Sequence, residues 1–430
     1  MSRKKIAIIT APNMRYVNTG MTTVELAAKS FLKSAQVDAD IDFYSVIPPN
    51  PSGPAKWMMM DLGYVHKSAA GIAKLFEHKP LYGNLDRLFA ADLIIYWGDF
   101  LQARHYIDAE ATDRLAMLYG LERHKAQEFA YQSLLLSGAP KSVTEKTIVF
   151  GSSLLYNGAS DYIAGQYAED ISALARNCRY MALRDPISGA RVNHLTGDFS
   201  RTHLGIDPAF FLAEEDLGEL PAGAWSDHLQ YKKTIGLFFG TRTKPPKRLL
   251  DFCRNVADKL GLDLEWTPWF PYHDKLRQES KPKMTRFFQS KDRSMLDDIE
   301  KMLPRGDAYT QGDLLKALRK YSLVITDTYH LCINAWNAGT PAICFGSEAG
   351  SANNVIKDFK KRVLYEMFDA KDFYFDTAVL EAGDRQAETE RHVVKLFNDE
   401  ALSREVCKRI TAQASSVGMQ LRSHVNGVLT

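Results

Sequence analysis

Between Tyr321 and Gly346 the segment YSLVITDTYHLCINAWNAGTPAICFG reads as strand, loop, helix, loop, strand. Leu323, Val324 and Ile325 form an apolar run of β type, and Asp327 and Thr328 bring polar side chains to the point where a helix opens. Ala338-Gly339-Thr340-Pro341 ends that helix, and Ala342 to Phe345 starts the next buried strand. Two strands joined through a helix are the unit of a parallel sheet, whose ligands sit beyond the carboxyl ends of its strands. His330 falls in the first turn of this helix, where backbone amide ends gather and an anionic group is stabilised.

The same alternation runs along most of the chain. Strand-like runs stand at Ile6–Thr10, Ile41–Val46, Leu93–Trp97, Ile148–Phe150 and Tyr180–Leu183, then at Thr234–Phe239 and Leu262–Trp266. Thr22-Thr23-Val24-Glu25 reads as a capping box opening a helix through Leu32, and further helices are expected over Arg248–Leu260 and Asp313–Lys320. Leu402, Val406, Ile410, Val417 and Leu421 recur at helical spacing, which predicts a terminal amphipathic helix. Pro48, Pro49, Pro51 and Pro54 before Trp57 mark a long loop.

A chain of 430 residues exceeds one ordinary core. The polar, Gly- and Pro-containing stretch Glu214–Lys233 divides it, giving expected domains over 1–215 and 230–430. The expected fold class is α/β: two Rossmann-like domains facing a cleft, a GT-B-like arrangement in which each sheet presents its strand ends to the other.

Lys plus Arg total 54 against 52 Asp plus Glu, a balance that gives no reason to expect nucleic acid as a partner. The basic clusters Lys244–Arg248 and Lys360–Arg362 read as solvated faces. Five cysteines without paired metal spacing fit buried thiols in a reducing compartment, and no metal site is expected. The apolar run after Ser2-Arg3-Lys4-Lys5 stops at Thr10, shorter than the roughly 7–15 residues of a signal h-region. No later segment is long and apolar enough to span a bilayer, so a cytoplasmic protein is expected, with peripheral association at a membrane compatible with the sequence.

Four separated segments carry a family resemblance. They are Asn18-Thr19-Gly20 after the first strand, Ala91 to Asp99 (ADLIIYWGD), the pair MALRDPIS (181–188) and GIDPAFFL (205–212), and the late unit with His330. In this order they resemble the polysaccharide pyruvyl transferase family, whose members form ketals on sugars from phosphoenolpyruvate. The family usually shows Arg-x-His at the late helix, and this chain has Thr328-Tyr329-His330, a neutral hydroxyl where a guanidinium fork is expected.

The resemblance implies phosphoenolpyruvate and a glycan acceptor as partners, with the acceptor on the N-terminal domain and the donor on the C-terminal one. It implies no cofactor beyond the donor substrate. His330 is the first candidate for acid/base work or for a hydrogen bond to the leaving phosphate, its other reading being a capping or core histidine. Asp99, just past a strand end, is a candidate proton acceptor for a sugar hydroxyl, or a turn residue. Arg184 is a candidate anion clamp, or the partner of Asp185 or Asp207.

Arg242 and Lys244 stand beyond another strand end and offer the charge absent at Thr328. Asn18, Gly20 and Thr328 complete the donor and acceptor contacts. Trp269 and His273 belong to an aromatic cluster broken by Pro268 and Pro271, whose exposed rings are expected to stack on a sugar, unless they are core.

Two rival readings stay open. One is a glycosyltransferase holding a nucleotide sugar between two such domains, and the other is a catalytically inert relative that binds glycan.

Overall fold

The computed structural model describes residues 3–12, 18–46, 69–220, 227, 229–239, 249–267, 269, 310–347, 352–380 and 383–429. Among the described residues, twelve strands form two sheets. The N-terminal sheet contains β1 (Lys4–Thr10), β2 (Ala39–Ser45), β3 (Lys79–Pro80), β4 (Leu93–Trp97), β5 (Thr147–Ser152), β6 (Tyr180–Leu183) and β7 (His203–Leu204) in the order 3-2-1-4-5-6-7. The C-terminal sheet contains β8 (Thr234–Phe238), β9 (Asp263–Trp266), β10 (Leu323–Thr326), β11 (Ala342–Gly346) and β12 (Tyr374–Asp376) in the order 12-11-10-8-9.

All pairings are parallel. Helices cover parallel strands on both faces, which is why β4, β8, β10 and β11 are buried along their whole length and read as unbroken apolar runs. This is the expected class, two Rossmann-like units in a GT-B-like arrangement. The first helix runs from Thr19 to Ser34, three residues earlier than the capping-box pattern predicts. Asn18 is its N-cap, accepting from the Gly20 amide at 3.0 Å. Glu25 does not cap: it is buried and accepts from Thr10 Oγ1 at 3.1 Å, with His78 Nε2 3.3 Å away.

In each sheet the strand order reverses once, between β1 and β4 and between β8 and β10, and such reversals open the crevices where α/β proteins hold ligands. The two crevices face each other. Thr19 Oγ1 donates to the Trp269 carbonyl at 2.8 Å, Asn334 Nδ2 donates to Thr23 Oγ1 at 3.0 Å, and Gly20 lies directly against His330.

The terminal helix, Glu400–Leu429, buries Val406, Ile410, Val417, Leu421 and Val425, the stripe expected from its spacing. It also returns to the N-terminal sheet. Tyr180 donates to Gln420 Oε1 at 3.1 Å and stacks on His424 at 4.2 Å, and Arg179 Nε donates to the His424 carbonyl at 3.0 Å. No described helix is long and apolar enough to cross a membrane.

Candidate active site between the two sheets

Arg184 leaves the carboxyl end of β6, its backbone amide held by the Ser152 carbonyl at 2.9 Å. Beyond β7, the Gly205 amide donates to the Leu183 carbonyl at 2.7 Å. A β-carbon at Gly205 would come within 2.9 Å of that same oxygen, so only glycine lets this loop press onto the end of β6. The close approach carries Asp207 onto Arg184, with Arg184 Nη1 donating to Asp207 Oδ2 at 3.0 Å. Both side chains are buried, at 4% and 0% exposure, which makes this a desolvated pair that neither partner can lose cheaply.

From the opposite sheet, the helix Tyr329–Asn337 points its first turn at the same carboxylate. His330 Nε2 lies 3.8 Å from Asp207 Oδ2, beyond hydrogen-bond range but within ion-pair reach, and its side chain is 12% exposed. Burial pushes the Tyr329 phenol well above its ordinary range, with Asp207 and Asp185 adding to the rise and Arg184 opposing it. Asp207 Oδ1 accepts from the Ala209 amide at 3.0 Å and caps the short turn Pro208–Phe211. Asp185 has a scaffold duty: it accepts from the Ser188 amide at 2.8 Å and from Ser153 Oγ at 2.9 Å.

Asp99 follows β4 with φ at +57°, directly after Gly98 at +78°. Two left-handed residues in succession turn the chain sharply and leave the carboxyl inside. Its Oδ1 makes no hydrogen bond, and burial raises the group to about 6, with Arg184 and Lys360 pulling it down and Asp207 and Glu110 pushing it up. Burial opposes the charge on Arg184 too, but Tyr329 and the carboxylates of Asp207, Asp99 and Asp185 outweigh it and raise its already high pKa further.

The sequence reading missed Lys360. The basic run Lys360–Arg362, expected as a solvated face, divides three ways. Arg362 is exposed and pairs with Glu366 at 2.8 Å, while Lys361 is buried against Asp358 at 2.6 Å. Lys360 turns inward, its Nζ 5.0 Å from the Tyr329 ring centroid, 5.1 Å from Phe100 and 5.7 Å from Tyr156. A pocket between the two sheets is lined by Arg184, Asp185 and Asp207 from one side and by Tyr329, Lys360 and Val363 from the other.

Of the candidates named from sequence, Gly20, Asp99, Arg184, Thr328 and His330 gather at this junction, with Asn18 capping the helix that presents Gly20. Thr328 takes the N-cap position, but its hydroxyl turns to Asp327 Oδ1 at 3.2 Å and caps nothing. Trp269 corrects the expectation of an exposed stacking ring: it is fully buried, and its backbone carbonyl ties the two units together. The ring instead belongs to the large hydrophobic core that residues of both sheets share. Arg242, Lys244 and His273 lie outside the described residues. Among the described residues no group of three or more His, Cys, Asp or Glu side chains is placed to hold a metal ion.

A family model described as polysaccharide pyruvyl transferase matches residues 25–348. No curated protein matches the sequence. Solved structures of similar architecture include MnaA of S. aureus with UDP, at 10% identity over 94% of this chain and 91% of that one, TM-score 0.47. LpCGTa in complex with UDP has 12% identity over 100% and 99% of the two chains, TM-score 0.47. The UDP-GlcNAc 2-epimerase of Neisseria meningitidis bound to UDP-GlcNAc has 12% identity over 91% and 100%, TM-score 0.42. Likenesses this distant carry no argument about what the chain does.

Proposed function

This chain belongs to the polysaccharide pyruvyl transferase family, and from that premise we propose that it transfers the pyruvyl group of phosphoenolpyruvate to a sugar of a cell-surface or exopolysaccharide precursor. The observation that carries the reading is the meeting of His330, Arg184 and Asp207 from two sheets beside one pocket. Phosphoenolpyruvate brings a carboxylate and a phosphate, and cationic side chains beside a helix N-terminus suit both.

In this reaction carbon 3 takes a proton and becomes a methyl group, and the positive charge that develops at carbon 2 is met by the oxygen of a sugar hydroxyl. That hydroxyl loses its proton, the bond from carbon 2 to the phosphate oxygen breaks, and a second hydroxyl adds in its place, also losing a proton. One proton leaves with inorganic phosphate. Asp99, raised only to about 6, is mostly ionised at neutral pH and suits the role of base toward a hydroxyl. His330 is assigned the proton to carbon 3 or the hydrogen bond to the departing phosphate, and Arg184 the donor's anionic end.

Arg242, Lys244, Thr328, Asn18, Gly20 and His273 are assigned to substrate contacts, with the acceptor on the N-terminal side and the donor on the C-terminal side, where Arg184 reaches it across the junction from the N-terminal sheet. The reading puts the reaction in the cytoplasm, where phosphoenolpyruvate is made. Purified protein given phosphoenolpyruvate and a panel of glycan acceptors should release inorganic phosphate. Absence of release with every acceptor would count against the assignment.

A further inference from the structure

The position where the family carries a guanidinium is neutral in this chain, since Thr328 bears a hydroxyl turned toward Asp327 at 3.2 Å. A cation stands close by on another element. Lys360, on the helix Ala352–Met367, holds its ammonium against the rings of Tyr329, Phe100 and Tyr156. It forms no ion pair with a described residue, in contrast to its neighbour Lys361.

Arg184 sits over two of the same rings, 4.9 Å from Tyr329 and 5.2 Å from Phe100. Only its Nη1 meets Asp207, while Nη2 is buried without a hydrogen-bond partner, on a residue only 3% exposed. Two cations share two aromatic faces beside one pocket. The rings fix their positions but cannot neutralise them, and a buried guanidinium N–H left unbonded is costly unless something else fills it.

We propose that Lys360 supplies the charge missing at Thr328 and, with the free arm of Arg184, binds an anionic group of the donor. This rests on the pyruvyl-transfer reading for the donor's identity. The competing role for Lys360 is a cation–π strut that only joins the two units.

Titration of phosphoenolpyruvate and of inorganic phosphate into the protein without acceptor, alongside phosphate-release kinetics, separates these roles. Lys360→Met keeps the apolar stem and should weaken phosphoenolpyruvate binding and raise its KM about 10- to 100-fold, the worth of one charge-assisted contact. The KM for the acceptor should stay unchanged. Lys360→Arg should stay within a few fold of wild type. Adding Thr328→Arg to Lys360→Met should restore part of the affinity.

Undiminished phosphoenolpyruvate affinity in Lys360→Met, with or without a lower melting temperature, overturns the inference and leaves the transferase reading standing. A wild type that binds phosphoenolpyruvate but never releases phosphate, with binding weakened in Lys360→Met, sinks the transferase reading and upholds the anion site. A wild type that binds neither anion overturns the inference outright.

Discussion

Gly20 and His330 stand on helices that follow strands of different sheets, yet a β-carbon placed on Gly20 would overlap the Cβ of the histidine and come within 2.8 Å of its Cγ. Each residue lies in the first turn of a helix that follows a strand at a topological switch point, so the contact fixes how the two crevices meet. Gly20→Ala must push the imidazole or the helix aside. The cost should be about 1–3 kcal/mol of stability, the usual range for overpacking. Displacing the ring by an ångström should cost about 100-fold in rate. Melting curves and phosphate release on the same preparation check both.

His330→Ala should separate chemistry from folding. The side chain keeps some exposure, and the Asp207 carboxylate 3.8 Å away is already paired with Arg184, so truncation should cost far less stability than activity. A general acid or base contributes on the order of a hundred- to ten-thousand-fold, and a loss of that size in phosphate release is expected. Full activity in the variant would reject the assignment.

Asp99 predicts an acidic limb in the rate profile. Its carboxyl is raised to about 6, chiefly by burial, so the base form is populated only as pH climbs through that value. Activity should rise between about pH 5 and 7, and Asp99→Asn should remove the limb together with most of the rate. The stability consequence has the opposite direction. A carboxyl that holds its proton more tightly folded than unfolded destabilises the native state as pH rises from about 4 to 6, on the order of 3 kcal/mol in all. Asp99→Asn should therefore melt higher than wild type above pH 6 and gain little near pH 4.

His424 should act the other way on the terminal helix. Burial lowers its pKa, with Arg179 and His203 adding to the shift, so the unfolded chain binds a proton that the folded one resists. Its contribution is intact above the ordinary histidine range and is lost as pH falls below about 6.5. The ring stacks on Tyr180, which also stacks on His203 at 4.9 Å. Protonating His424 loads charge onto that stack. Hydrogen exchange should show Glu400–Leu429 loosening first near pH 5, and His424→Phe should suppress that loosening while keeping the stack.

Every strand read from the sequence recurs in the fold; β4, β5, β6, β8, β10 and β11 are covered on both faces and so are buried throughout, while β2 and β9 carry exposed residues and show a weaker pattern. The three strands that escaped notice, Lys79–Pro80, His203–Leu204 and Tyr374–Asp376, are two or three residues long and close sheet edges, where neither length nor pattern gives a signal. His330, Arg184 and Asp99 were legible because each stands just past a strand end. Lys360 was not: its charge lies in a run that looks solvated, and only the packing of Phe100 and Tyr156 from the other unit turns it inward. Trp269 failed for a related reason, since a proline-flanked aromatic gives no sign of which surface will cover it.

Arg184 and Asp207 set a test of what their pairing is for. Removing the guanidinium with Arg184→Met leaves a fully buried carboxylate without its closest cation, and breaking a buried pair from one side costs about 3–5 kcal/mol. Asp207→Asn in that background takes away the stranded charge, so the double variant should recover much of the stability, a coupling that a double-mutant cycle of denaturant melts measures directly. Activity should not return with it, since the donor would still lack the guanidinium. Arg184→Lys completes the argument: a point charge near Asp207 should hold the fold within about 1–2 kcal/mol, while loss of the planar two-armed donor should weaken phosphoenolpyruvate binding at least 10-fold. Recovery of activity in the double variant would mean that the pair serves the fold alone and that the donor binds elsewhere.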